Sequence, residues 1–256
     1  MKLTNKNYYS QKANKEYFSV SQLKDFIKCE AYAMAKISGE WVEEPTTPML
    51  MGSYVDSWFE GTLDKFKENT PDLFKKDGTL KSDYVMAEEV IKIAQEEPFL
   101  MNCMSGKKQV IMTGEIFGVP WKIKMDSYIK DEAIVDFKFI KNISEKFKTF
   151  SGYQTFIEQW GYDLQLAVYQ EIVRQNTGKT LDCIIAAIDK TKYHNRACVL
   201  ISNDQLSWTL QRYEEIIPHY AQVKAGKIEP EQCNICDYCI ATKKIDHLIE
   251  PYQLIM

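Results

Sequence analysis

The sequence predicts an α/β (α+β) fold, a mixed β-sheet flanked by helices, and three observations carry that prediction. Apolar residues recur at three- and four-residue spacing through roughly the first hundred positions. A stretch rich in Val, Ile, Phe and Tyr follows, punctuated at Gly118-Val119-Pro120 and at Lys130-Asp131. Helical spacing then returns on both sides of two short apolar runs, which places helices before, between and after the strands. With 256 residues, 45% of them apolar, the chain can bury a substantial core. It shows no internal repeat, low-complexity tract or Gly/Ser linker, so one domain over 1–256 is expected.

The elements follow in order. "SVSQLKDFIKCEAYAMAKISG" opens on serines able to cap a helix and ends at Gly39, predicting one helix. After the Pro45/Pro48 break, "MLMGSYVDSWFEGTLDKFKE" predicts a second, with Met51, Val55, Trp58 and Phe59 on one side. "KSDYVMAEEVIKIAQEE" predicts a third, ending before Pro98. "KKQVIMTGEIFGVPWKIKMDSYIKDEAIVDFKFI" reads as three consecutive antiparallel strands. "IEQWGYDLQLAVYQEIVRQNTG" is an amphipathic helix closed by Gly178. Strands at "LDCIIAAID" and around "ACVLIS" come next, then a long helix over "NDQLSWTLQRYEEIIPHYAQVKAG".

Composition narrows the class. No run approaches the roughly 20 apolar residues of a membrane span. The opening "MKLTNKNYYSQKANKEYFS" has no hydrophobic signal-peptide region, so a cytoplasmic protein without membrane association is expected. Seven cysteines, an odd count, argue for free thiols or metal ligands rather than a disulfide framework. A net charge of −4 gives no global nucleic-acid signature, although a local basic groove would suffice for phosphate contact.

The segment "KIKMDSYIKDEAIVDFKFIKN", 122–142, places Asp126, Asp136 and Lys138 among apolar residues of a half-buried hairpin. Burying an unpaired charge costs several kcal/mol. A turn at Lys130-Asp131 sets Asp126 across from Val135 or Asp136, while Asp136 and Lys138, two apart, share one face. Opposed carboxylates repel unless a cation lies between them, and oxygen-only ligands suit Mg²⁺ or Mn²⁺. Lys138 adds positive charge where a scissile phosphate and an attacking water would be held. A solvated strand face would carry the same residue types.

These residues resemble the PD-(D/E)xK nuclease core, with its restriction-endonuclease-like fold: Met125-Asp126, then Asp136-Phe137-Lys138. Met125 replaces the proline of the motif's name. "GYDLQLAVYQ" places Gln165 and Tyr169 four apart and is similar to the QxxxY motif of the RecB-like and phage exonuclease VIII-type branch. "GSYVDSWFE" resembles that branch's GxxxH motif, with Gly52 first and Asp56 where many relatives have His. The resemblance implies metal ligation by Asp126, Asp136, the Phe137 backbone carbonyl and Asp56. It further implies that Lys138 orients and helps deprotonate the attacking water and that Gln165 and Tyr169 position the lysine or a phosphate. The implied activity is Mg²⁺- or Mn²⁺-dependent DNA exonuclease action in phage or prophage-type recombination or repair. DNA, a single-strand annealing or recombination partner and a homo-oligomer are the implied partners. A catalytically inactive DNA-end or partner-binding module of the same fold is the alternative.

"EQCNICDYCIATKKID" supplies Cys233, Cys236 and Cys239, a C-x2-C-x2-C run with metal-ligand spacing for zinc or iron–sulfur. The fourth ligand falls to Cys29 or, less well, to His247; reduced thiols without metal are the plain alternative. The layout resembles the four-cysteine CRISPR-associated and AddB-type nucleases, which close their ends around a [4Fe–4S] cluster, although the last cysteine gap here is shorter. Glu30 takes the place of their proline after the first cysteine. N-terminal helices in 18–66 and the cysteine segment 229–245 are expected to pack on a core spanning 105–225. Expected as surface or capping residues are His194, His219 and His247; Lys190, Lys192 and Arg196 belong to a solvated turn. Trp58, Trp121 and Trp160 are expected in the core.

Overall fold

The computed structural model describes residues 1–150, 152–245, 248, 250 and 251. Three short helices open the chain: α1 (Gln11–Glu16), α2 (Val20–Lys28) and α3 (Glu30–Ser38). The expected single helix over 19–39 is thus two, because Cys29 stands between them with φ −172° and ψ 123°. Ser19 caps α2 by accepting the Gln22 N–H, and Gly39 closes α3 at φ 85°. The second predicted helix also divides, into α4 (Thr47–Phe59) and α5 (Leu63–Asn69), around Gly61 at φ 70°. A single 3₁₀ turn over Pro71–Leu73 leads to α6 (Ser82–Glu96), which stops before Pro98 as expected. That proline then starts α7 (Pro98–Cys103), since its missing N–H is unneeded in a first turn.

The strand region forms four strands where three were expected. β1 (Val110–Ile116) and β2 (Val119–Met125) make an antiparallel hairpin. The chain bends at Asp126, and β3 (Ser127–Ile129) then pairs antiparallel with β4 (Ala133–Ile140). Ser127 faces Val135, a register that continues to Asp126 opposite Asp136, one of the two expected placements. The bend has a local cause, because the Asp126 carboxylate accepts the Phe137 N–H at 3.2 Å, a donor that strand backbone would otherwise take. Ser127 pins the next step by accepting the Gly106 N–H at 2.9 Å and donating to the Cys103 carbonyl at 3.1 Å. A Cβ on Gly106 would lie 2.6 Å from the Tyr128 backbone. Gly106→Ala is therefore expected to lower the melting temperature by several degrees, whereas Gly52→Ala, whose Cβ meets nothing, should not. Calorimetry of the two variants checks this; equal melting temperatures would remove the constraint.

A small hairpin, β5 (Phe147–Thr149) and β6 (Gly152–Gln154), precedes α8 (Phe156–Gln159) and α9 (Tyr162–Thr177). The predicted helix over 157–178 breaks at Gly161, φ 60°, and ends at Gly178 as expected. β7 (Asp182–Asp189) and β8 (Arg196–Ile201) follow. The long C-terminal helix is also interrupted, giving α10 (Asn203–Gln211) and α11 (Ile216–Lys224). Pro218 explains the break, since it has no N–H for the Glu214 carbonyl and its ring clashes there. α12 (Asp237–Thr242) carries the last cysteine.

The main sheet runs β3-β4-β7-β8, with β4 and β7 parallel and the other pairs antiparallel, the mixed sheet flanked by helices that the sequence predicts. Side chains alternate between its faces. Val135, Phe137, Ala186 and Ile188 pack with Met51 and Tyr54 of α4 and Val90 of α6. Ile134, Ile185 and Ala187 pack with Leu166 and Ile172 of α9 and with Trp121 and Ile123 of β2. Asp136 and Lys138 have the parity of Ile134, so they face α9 and β2. Among the described residues, no helix is long and apolar enough to cross a membrane.

Two expectations need correction. His194 is buried, because the turn after β7 wraps around the Asp189 carboxylate and brings His194 Nδ1 to 2.8 Å from the Asp189 carbonyl. Trp160 is 53% exposed, because it sits at the α8–α9 break and points outward beside Phe147, whereas Trp121 is fully buried. His247 lies outside the described residues.

Candidate active site

One cleft of about 740 Å³ gathers the predicted residues from four elements. Asp56 arrives from α4, Asp126 from the bend after β2, Asp136 and Lys138 from β4, and Gln165 and Tyr169 from α9. Gln165 Nε2 donates to Asp136 Oδ1 at 2.6 Å and reaches Tyr169 Oη at 3.3 Å. Tyr169 in turn donates to the Lys124 carbonyl at 3.1 Å, tying α9 to β2. The four-residue spacing of Gln165 and Tyr169 thus has a physical use. One helix face aligns a carboxylate and fixes the adjoining strand. The glutamine holds Asp136 rather than touching the lysine.

Electrostatics set this cleft apart from an ordinary strand face. Asp136 is 2% exposed, and its Oδ2 lies 2.5 Å from Lys138 Nζ. Among the described residues no other donor reaches Oδ2, so the Lys138 ammonium is the partner that offsets its burial. Burial opposes the charge on Lys138, but Asp136 and Asp126 outweigh it and push its pKa up. Burial raises Asp126 well above the usual carboxylate range, and repulsion from Asp136 and Asp56 adds to that. Asp56 is pushed up to about 7, chiefly by burial, against the attraction of Lys138. Three carboxylates crowded into one cleft make an all-oxygen donor set that fits a hard divalent cation. A solvated strand face is excluded, since Asp136 is out of solvent.

A second cluster lies away from this cleft. The sulfurs of Cys29, Cys233, Cys236 and Cys239 all lie within 4.8 Å of one another. Cys29 Sγ is 3.5 Å from Cys239 Sγ, and Cys233 Sγ is 4.0 Å from the same atom. The extended backbone at Cys29 that divides α2 from α3 is what turns this thiol toward α12. Backbone N–H donors of Ile235 and then Cys236 pull the Cys233 thiol below its usual range. Four thiol donors at such spacing fit a soft metal centre. Glu30 locks the segment in place: its Oε2 accepts the Glu231 N–H at 2.9 Å and its Oε1 meets His219 Nε2 at 2.7 Å.

Residues 19–242 match the family described as a PDDEXK-like domain of unknown function (DUF3799). The chain belongs to this family. The matched span contains both the cleft residues and all four clustered cysteines. Its mixed sheet with flanking helices is a PDDEXK-like α+β fold. A crystal structure from Eubacterium rectale, described as a "Putative exonuclease", is 46% identical with a TM-score of 0.96, covering 99% of this chain and 98% of that one. The solved structure SSO0001 aligns at 12% identity and a TM-score of 0.30 over 72% of this chain and 81% of that one. No curated protein matches the chain.

The PDDEXK-like cleft also holds residues that no motif announced. Lys24 of α2 donates to the Trp160 carbonyl at 2.7 Å, and burial, then the Lys138 charge, lowers it to about 8. The Tyr162 ring lies 4.8 Å from Lys138 Nζ. Tyr8 and Tyr9, from the N-terminal arm, line the cleft as well. None had a signal in the sequence, because each reaches the cleft only through tertiary packing. By contrast, Arg196 is occupied by Glu97 at 2.5 Å, and neither it, Lys190 nor Lys192 lines the cleft.

Proposed function

We propose that this chain is a metal-dependent DNA exonuclease that hydrolyses phosphodiester bonds. The observation that carries the reading is the buried Asp136–Lys138 pair, braced by Gln165 and surrounded by Asp126 and Asp56 in one cleft. Its similarity to the Eubacterium rectale protein supports exonuclease over endonuclease action. A role in phage-type recombination or repair rests on the motif resemblance alone. The helices before the strands and the cysteine segment act with the core as a single nuclease-like domain.

Asp126, Asp136 and Asp56, with the Phe137 carbonyl, would hold Mg²⁺ or Mn²⁺. Such an ion supplies Lewis acidity at the phosphate and lowers the pKa of a coordinated water. The chain's own groups do the rest. Gln165 fixes the Asp136 carboxylate in one rotamer by donating to Oδ1, so that Oδ2 faces Lys138. Lys138, whose charge Asp136 and Asp126 favour, orients the water and offsets charge developing on the phosphate. Lys24 and Lys124 add positive charge along the walls for backbone phosphates.

The four cysteines are proposed to hold a structural metal. Zn–S bonds of about 2.3 Å in a tetrahedron separate the sulfurs by about 3.8 Å. The four irons of a [4Fe–4S] cluster hold their thiolates roughly 6 Å apart. Separations under 4.8 Å therefore favour a single tetrahedral ion over the cluster implied by the resemblance.

Degradation of end-labelled linear duplex DNA, with Mg²⁺, Mn²⁺ or EDTA, tests the activity. The expected result is metal-dependent loss of label from one end, absent in Lys138→Ala. DNA binding without cleavage on any substrate would instead establish the inactive binding module. Gln165→Leu is expected to slow cleavage about 10- to 100-fold, by freeing Asp136, with little change in melting temperature.

A further inference from the structure

Residues 1–18 precede the span that the family match covers, yet they complete a wall of the cleft. Fully buried Lys122 of β2 locks this arm in place. Its Nζ donates to the Tyr8 carbonyl at 2.5 Å and to Asn14 Oδ1 at 2.6 Å. Tyr8 is buried and returns a hydrogen bond from its hydroxyl to the Lys122 carbonyl at 3.3 Å. Tyr9 is the opposite case. Its ring is 69% exposed, yet it is braced edge-on against Tyr8, with centroids 4.9 Å apart at 85°. Lys124 Nζ lies 4.7 Å from the Tyr9 centroid, and the Lys124 carbonyl accepts from Tyr169 of the candidate active site.

An exposed aromatic on a rigid mount, beside an ammonium group and in the same cleft as Asp126 and Asp136, has the parts of a base-stacking platform. Such platforms pair a cation for the phosphate with a π-face for the base. Other exposed aromatics, such as Tyr193 at 78%, do not line this cleft.

We propose that Tyr9 stacks on a nucleobase of single-stranded DNA entering the cleft and thereby holds the strand in the cleft that contains the carboxylates. Lys124 meets the adjoining phosphate. The inference rests on the nuclease reading above. Because every base has a π-face, the contact is tolerant of sequence and favours an unpaired end over an intact duplex.

The test uses the full chain and short single-stranded DNA carrying 2-aminopurine near its end, with Ca²⁺ in place of Mg²⁺ to hold the strand uncut. Wild-type protein and Tyr9→Phe are expected to quench the fluorophore. Tyr9→Leu should lose the quenching and bind about tenfold more weakly. In Mg²⁺, Tyr9→Leu should raise KM for the single strand with kcat nearly unchanged. Tyr193→Leu, at a more exposed tyrosine outside the cleft, should match wild type in every measurement. Wild-type affinity, quenching and KM in Tyr9→Leu would overturn the inference while leaving the nuclease reading intact. Wild-type protein that neither binds nor cuts DNA would overturn both.

Discussion

Asp126→Asn is expected to lower DNA cleavage at least about 1,000-fold without lowering the melting temperature in EDTA, and Asp136→Asn to lose both. The two carboxylates look equivalent in the motif but stand in different company. Asp126 is opposed by burial and by Asp136 and Asp56, and its specific polar contact is the Phe137 N–H. An amide oxygen at that position still accepts this N–H, and it carries no charge for burial and the neighbouring carboxylates to oppose. The metal-free protein should therefore tolerate the change or gain stability from it, as active sites built of like charges commonly do. Asp136, in contrast, is the counter-charge of Lys138, whose side chain is only 18% exposed. Its amide variant leaves a buried ammonium with weaker compensation, a loss of about 2–3 kcal/mol. Calorimetry in EDTA beside the cleavage assay separates the two. Equal destabilisation by both variants would show that the carboxylates are structural and not a strained cation site.

Cys239→Ala is expected to remove the metal from the second cluster and to lower the melting temperature by ten degrees or more. Cys239 is 1% exposed, and its sulfur lies 3.5 Å from that of Cys29, the contributor from the N-terminal half. A metal on these thiols joins two segments about 200 residues apart in the chain, and binding free energy at such a site adds directly to folding. Elemental analysis of anaerobically prepared protein should find one zinc per chain. Four irons with visible absorbance would reverse the mononuclear assignment. Cys183→Ala, at a buried thiol outside the cluster, should keep its metal. A strong chelator should lower the wild-type melting temperature toward that of Cys239→Ala while leaving that variant unchanged.

Much of this was legible in the chain. The alternation in "EAIVDFKFI" fixed Asp136 and Lys138 on one face, and the turn at Lys130-Asp131 placed Asp126 beside them within one residue of register. Four-residue spacing paired Gln165 with Tyr169, and C-x2-C-x2-C marked a metal-ligand run. These are short-range relations, set by strand and helix periods, and a sequence displays them directly.

Tertiary structure decided the rest. Three predicted helices are each divided, at Cys29, Gly61 and Gly161, and a fourth is interrupted ahead of Pro218. Apolar spacing continues across such breaks, because both halves pack on one core even after the backbone turns. That Asp136 and Lys138 form a buried pair required α9 to close over β4, and Cys29 became a partner of Cys239 only when the two chain ends met. Tyr9, Lys24 and Glu30 carried no local signal, since their surroundings come from residues more than a hundred positions away. Periodicity determined which faces carry the chemistry; long-range packing determined what each face meets and how much solvent each charge retains.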